Sequence, residues 1–339
     1  MKIRVAVVGA GDWGRNLVRN FHQAPGADLA WICDRSEKRL DLMRDHFPGV
    51  PVTTSIDEVL ADEEVRAVAI ATPAASHAEV GLRVLAAGRH AFVEKPLALS
   101  AADAEALCRA ADAAGRILMT GHLLLHHPAV VRLKELVASG ELGRIYYLYS
   151  QRVNLGKIRA DENALWSFAP HDLSVILHLL DDEPVSVSAR GHAYLRPGVE
   201  DVVFVTLEFA SGVMANVHLS WLDPHKLRKF TVVGNRKMVV FDDMEATEKI
   251  RIYDKGADVP GDYATYGDYI GLRFGDITIP RIDGAEPLRL EVARFLRAVE
   301  EGVAPESDGR SGLRVVRVLE AAQRSLEAGG APQRLSGRE

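Results

Sequence analysis

The sequence predicts an α/β domain with a buried parallel sheet, followed by an α+β domain built on antiparallel strands. Three observations carry that expectation. At 339 residues the chain is too long for one ordinary core and suits two domains. Up to about residue 121, short and nearly continuous apolar runs alternate with longer helical patterns, as in a parallel sheet covered on both faces. Beyond that point the runs alternate apolar with polar residues and are punctuated by turn signals, as in antiparallel strands.

In order, IRVAVVGA reads as a buried strand and WGRNLVRNFHQA as an amphipathic helix. DLAWICD is the next strand and SEKRLDLMRDHF the next helix, with Ser36 placed to cap it. SIDEVLAD (helix), VRAVAIATP (strand), SHAEVGLRVLAAG (helix), HAFVEKP (strand), SAADAEALCRAADAAG (helix) and RILMTGH (strand) complete the series. The second domain, expected over residues 122–339, opens with the helix PAVVRLKELVASGELG. The strands RIYYLYSQRVN, PVSVSARGHAYL, DVVFVTLEFASG, VMANVHLSWL, RKFTVVGNRKMVVFDD and KIRIYD follow, with the helix ALWSFAPHDLSVILHLLDD between the first two. SG at 211–212 and GN at 234–235 mark turns, and two helices close the chain.

Composition narrows the function classes. Apolar residues at 47% and charged residues at 26% are those of a globular protein. A net charge of −6 without a basic block argues against a nucleic-acid partner. Cys33 and Cys108 can neither form a disulfide framework nor supply a metal-type spacing, which suits a reducing compartment. The N-terminal apolar run is too short for a signal peptide, and no window approaches a membrane span. A cytoplasmic protein without membrane attachment is expected.

VVGAGDWGRN sets Gly9, Gly11 and Gly14 in a GxGxxG pattern between a strand and a helix. The first glycine permits the tight turn, the second lets a pyrophosphate approach the backbone, and the third lets the helix pack close to the sheet. The amides of Asp12 and Trp13 would then face the phosphates at the positive end of the helix. The second strand ends in Asp34, twenty residues after Gly14, where a carboxylate bonds ribose hydroxyls. A dinucleotide-binding Rossmann domain follows over residues 1–121. Asp34 favours NAD, since a carboxylate repels a 2′-phosphate; Arg35 beside it leaves NADP as the less favoured cofactor.

GAGDWG, ATPAASHAE, EKPLA and GH at 121–122, in this order, together with the C-terminal EEGVAPESDGRSGLRVVRVLEAAQRSL, resemble the Gfo/Idh/MocA oxidoreductase family. The resemblance spans essentially the whole chain. It implies a large, mostly antiparallel open sheet in the second domain, one face of which pairs subunits, hence a homodimer or homotetramer. It also implies that Lys95 lies beside the nicotinamide and the reacting hydroxyl. Pro96, often cis in the family, would turn the lysine into the cleft. Thr72 and Pro73 would run near the nicotinamide ribose, with contacts from His77 and Glu94.

The family's second catalytic group is a histidine on the first helix of the substrate domain, which aligns with His171. The chemistry suits it, because hydride transfer from a carbinol needs a base for the hydroxyl proton and histidine titrates near neutrality. Many members carry an acid four residues earlier, where this sequence has Ser167. Asp172 follows His171 directly, and adjacent helical residues diverge by about 100°, so it does not replace that acid. A Lys/His set without the acid resembles the branch acting on nucleotide-linked sugars, the UDP-N-acetylglucosamine and UDP-N-acetylglucosaminuronate 3-dehydrogenases.

On the substrate side, the polar stretch 150–166 offers Arg152, Asn154, Lys157, Arg159 and Asn163 next to His171. Such donors suit a polyol, a carboxylate or a diphosphate. HLLLHH places His122 and His126 four apart, but no acid or cysteine completes a metal set, so His122 is expected to line the cleft and no metal is expected. The alternation in DVVFVTLEFASG and VMANVHLSWL is consistent with two buried faces. The leading function is an NAD-dependent oxidoreductase of a sugar's secondary hydroxyl, at C3 of a nucleotide-activated sugar. The alternatives are a free-sugar or inositol dehydrogenase and a non-catalytic NAD-binding regulator.

Overall fold

The computed structural model describes residues 2–156, 158–159, 162–258 and 271–335. Two compact units result: the chain up to His127 together with Ala285–Arg317, and Pro128–Gly284 together with the chain from Val318 onward.

In the first unit the elements are β1 (Ile3–Val8), α1 (Gly14–Gln23), β2 (Ala27–Cys33), α2 (Glu37–His46), β3 (Val52–Thr53), α3 (Ile56–Ala61), β4 (Ala67–Ile70), α4 (His77–Ala86), β5 (His90–Glu94), α5 (Ala101–Ala114) and β6 (Leu118–Gly121). The strands run parallel in the order β3-β2-β1-β4-β5-β6. Their uninterrupted apolar character has the expected cause: both faces are buried. Val5 and Val7 join Leu17, Phe21, Leu40 and Phe92 on one side, while Ala6 and Val8 join Ile70, Val84 and Leu107 on the other. β3, only two residues long, carries too little pattern to be read from sequence.

The second unit contains α6 (Pro128–Ala138), β7 (Ile145–Val153), α7 (Ala164–Leu180), β8 (Pro184–His192), β9 (Val202–Phe209), β10 (Met214–Ser220), β11 (Leu227–Gly234), β12 (Met238–Asp242), β13 (Ile250–Asp258) and β14 (Gly271–Thr278). The closing helices are α8 (Pro287–Glu301) and α9 (Gly309–Glu327), followed by β15 (Gln333–Arg334). Nine strands form a sheet in the order β14-β13-β12-β11-β7-β10-β9-β8-β15, antiparallel except for the β7–β10 pair. β14 and β15 were not expected from the sequence.

One expectation needs revision. A single division near residue 121 would leave α8 in the second domain, yet its Phe295 ring packs edge-on against Phe21 and Phe92 of the first unit. The alternation of β9 and β10 buries one face within this chain. Val203, Val205, Leu207, Ala215, Val217 and Leu219 are buried, whereas Phe204 and Met214 on the other face stay exposed.

Candidate active site

The GxGxxG loop joins β1 to α1, and its glycines are enforced by space. Gly9 has φ +101°, and a Cβ there would meet the Ala71 backbone at 2.6 Å. A Cβ on Gly14 would come within 1.9 Å of the Gly9 carbonyl oxygen, so the helix closes on the loop only without a side chain. Gly11 is different: a Cβ there would meet nothing nearer than the Arg39 guanidinium at 3.9 Å. The room it leaves is a cradle open to a ligand, as a pyrophosphate requires.

At the end of β2, the Asp34 carboxylate accepts from the Ala10 amide at 2.7 Å and the Ser36 amide at 2.9 Å, with the Arg39 guanidinium at 3.4 Å. It thereby ties the glycine loop to the strand that carries it. A cleft of about 550 Å³ opens here, lined among others by Gly9, Gly11, Asp12, Trp13, Asp34, Arg35, Thr72 and Pro73. The strand order places it where a doubly wound sheet binds dinucleotides, at the carboxyl ends of the strands beside the reversal between β1 and β4. Loop, cradle and acid all fit a dinucleotide.

Glu94 ends β5 and Lys95 follows it, with a cis Lys95–Pro96 peptide bond. Glu94 is buried; it accepts from the Trp13 indole N–H and from the Lys95 amide at 3.2 Å. Burial lifts its carboxyl to about 7, against the Trp13 bond and the Lys95 charge that pull it down. Glu291 of α8 is wholly buried, and neither carboxylate oxygen has a hydrogen-bond partner among the described residues. Burial first, and the Glu94 charge second, push it well above the ordinary carboxylate range.

Two histidines differ from expectation. His77 is buried, with Nδ1 2.8 Å from the Pro96 carbonyl and Nε2 2.9 Å from the Thr72 carbonyl. Both nitrogens face backbone, so the ring is a strut between two loops and not a cofactor contact. Burial lowers its pKa despite these carbonyls, and the Lys95 charge adds to the fall. His122 does not line the cleft. It is 1% exposed with neither ring nitrogen hydrogen-bonded among the described residues, and burial, then the His126 and Lys95 charges, lower it to about 3.

The polar segment of the second unit is also used differently. Arg152 is buried and forked onto Asp172, Nε at 2.6 Å and an Nη at 3.4 Å. Its guanidinium is therefore engaged within this unit, and the Asp172 carboxylate with it. Asn163 caps α7, accepting from the Trp166 amide at 3.1 Å and donating to Glu200 at 2.7 Å and Gln323 at 3.1 Å. Those bonds use both of its N–H donors within this unit. Arg159 pairs with Glu162 at 2.7 Å while half-exposed. Asn154 keeps a buried Oδ1 without a hydrogen-bond partner, and Lys157 lies outside the described residues. His171 sits partly buried on α7, one turn after the buried Ser167.

Residues 3–122 match the family described as "Oxidoreductase family, NAD-binding Rossmann fold", and residues 130–240 match the "GFO/IDH/MocA C-terminal domain". The chain belongs to the Gfo/Idh/MocA oxidoreductase family. A solved structure described as an oxidoreductase from Magnetospirillum magnetotacticum is 34% identical, with TM-score 0.80 over 95% of this chain and 100% of that one. UDP-N-acetylglucosamine 3-dehydrogenase from Acidithiobacillus ferrooxidans is 27% identical, with TM-score 0.84 over 97% and 99%. Inositol 2-dehydrogenase of Paracoccus denitrificans is 31% identical over 65% of this chain and 67% of its own length.

Beyond the expected Gfo/Idh/MocA positions, the cleft is lined by Arg39, Thr54, Ser76, Glu79 and Arg83. Arg39, Thr54 and Arg83 come from elements that bear no motif, and Ser76 and Glu79 from the ATPAASHAE stretch. Glu291 was missed for another reason: it is an acid within the apolar stripe Leu288, Val292, Phe295 and Val299 of α8, a misfit visible in sequence. No described helix is long and apolar enough to cross a membrane.

Proposed function

We propose that this oxidoreductase moves a hydride between NAD and a secondary hydroxyl, at C3, of a nucleotide-activated sugar. The observation that carries the substrate class is Ser167, buried on α7 where many family members hold an acid. A lysine and histidine without that acid mark the nucleotide-sugar branch, and the full-length likeness to a UDP-N-acetylglucosamine 3-dehydrogenase supports it.

NAD, when bound, supplies the hydride acceptor; NADP is the less favoured cofactor, because the cleft presents the Asp34 carboxylate. Gly11 and the amides of Asp12 and Trp13 hold the pyrophosphate, Asp34 and Arg35 flank the adenosine ribose, and Thr72, Pro73 and Glu94 flank the nicotinamide half. Lys95 holds the substrate oxygen as negative charge develops on it, and His171 takes its proton. Of the second unit's polar residues, Asn154 and Arg159 remain substrate contacts, since Arg152 and Asn163 are engaged internally. The enzyme works in the cytoplasm, consistent with two unpaired cysteines. The open sheet face bearing Tyr147, Phe204 and Met214 favours a homodimer or homotetramer, which sedimentation equilibrium would measure.

Thermal-shift measurements with NAD present test the substrate class. UDP-N-acetylglucosamine or UDP-N-acetylglucosaminuronate raises the melting temperature, and free N-acetylglucosamine and inositol do not. A shift with inositol alone favours the second reading, a free-sugar or inositol dehydrogenase, which the likeness to inositol 2-dehydrogenase motivates.

A further inference from the structure

β5 and α8 bring two acids together inside the first unit. Residues two apart on a strand share a face, so Glu94 points to the side of Phe92; residues four apart on a helix share a face, so Glu291 lies beside Phe295. The Phe92 and Phe295 rings pack with centroids 5.6 Å apart. One step further along each element, Glu94 and Glu291 meet at the carboxyl end of β5. Glu291 is 0% exposed and its oxygens have no hydrogen-bond partner among the described residues, an arrangement that strongly disfavours a second negative charge.

The groups facing this pair are few. The Trp13 indole reaches Glu94 from the glycine loop, the Lys95 amide bonds it from below, and the Lys95 ammonium attracts it. On the β6 side, a Cβ at Gly121 would meet Glu94 Oε2 at 2.9 Å, and the next residue, His122, feels the charges of His126 and Lys95. Trp13 both lines the cofactor cleft and donates to Glu94, so the acid pair is tied to that cleft.

We propose that Glu94 and Glu291 act as a buried acid pair that senses the cofactor's charge: the pair gives up a proton when the cationic, oxidised nicotinamide binds, and keeps it when the neutral, reduced form binds. The proposal rests on the NAD cleft of the proposed function, but not on the sugar substrate. Oxidised and reduced cofactor differ by one positive charge at the nicotinamide, and a carboxylate close by favours the cation. Proton release and cofactor oxidation state are then linked, and Glu94 and Glu291 are positioning residues, not groups that touch the hydride.

Isothermal titration of the full chain tests this, at about pH 7 in phosphate and in Tris, whose ionisation heats differ. The wild type releases about half a proton per NAD+ and close to none per NADH. From about pH 6 to 8 its affinity for NAD+ rises about tenfold relative to NADH. Glu291→Gln keeps the burial that lifts Glu94, so both effects persist; Glu94→Gln leaves only Glu291, which burial keeps protonated, and abolishes both. If Glu291→Gln fails to fold, Glu94→Gln decides alone. Tight NAD+ binding to the wild type without proton release, or equal release by Glu94→Gln, overturns the proposal. Absence of NAD+ binding overturns the cofactor reading and this proposal together.

Discussion

At the cofactor cleft, the decisive contacts are made by main chain: Asp34 accepts from two amides, and Gly9 and Gly14 approach backbone at distances no side chain allows. In the segment leading to α7, the decisive contacts are made by side chains to one another: Arg152 to Asp172, Asn163 to Glu200 and Gln323, Arg159 to Glu162. Backbone geometry restricts which residue types can stand at a position, whereas a polar side chain can be satisfied by many partners. The first kind of site therefore declares its purpose, and the second conceals whether its donors face a ligand or a neighbour.

The sharpest way to break this contrast lies in the glycines. Gly14→Ala drives a Cβ into the Gly9 carbonyl and should abolish folding of the first unit or all NAD+ binding, as circular dichroism and titration would report. Gly11→Ala meets nothing nearer than the Arg39 guanidinium at 3.9 Å, so the melting temperature should hold while NAD+ affinity falls at least about tenfold, or ~1.4 kcal/mol. Equal loss of stability in both variants would mean that Gly11 is structural too.

Next in size is the buried ion pair. Arg152→Met strands the Asp172 carboxylate, with an expected cost of about 3–5 kcal/mol, seen as a fall of roughly 10 °C in melting temperature. Adding Asp172→Leu should recover most of it. An Arg152→Met enzyme with unchanged melting temperature but a raised KM would restore Arg152 to the substrate site.

A smaller, pH-dependent effect belongs to the acid pair. A carboxyl whose folded pKa is raised binds more protons folded than unfolded, so the contribution of Glu291 is present below the unfolded value of about 4.5 and is lost as pH rises towards its raised folded value. Glu291→Gln should therefore melt higher than the wild type at about pH 8, by a few degrees, and no higher at about pH 4. A variant less stable at the higher pH would show that the unpartnered acid is favourable as built.

How much of this could be read beforehand follows the same division. The alternating fold, the GxGxxG loop, Asp34 and the Glu94–Lys95 strand end were legible because burial and tight turns leave few residue choices. Arg152 and Asn163 were misread because their partners, Asp172, Glu200 and Gln323, come from other elements and carry no motif. His77 and His122 were misplaced because a histidine looks the same in sequence whether it faces a cleft or a carbonyl. α8 was assigned to the wrong unit because an amphipathic stripe says that a helix packs, not against which core. Glu291 stood in plain view as an acid in that stripe.

The most direct measurement is formation of reduced nicotinamide from NAD+ and UDP-N-acetylglucosamine or its uronate, followed by absorbance, in wild type and Lys95→Ala at matched NAD+ occupancy. The wild type should produce NADH with at least one of these sugars, and Lys95→Ala should produce none while binding NAD+ almost as tightly. Unchanged NADH production by Lys95→Ala would contradict the assignment of that lysine, and a wild type silent with every UDP-sugar but active on inositol would contradict the substrate.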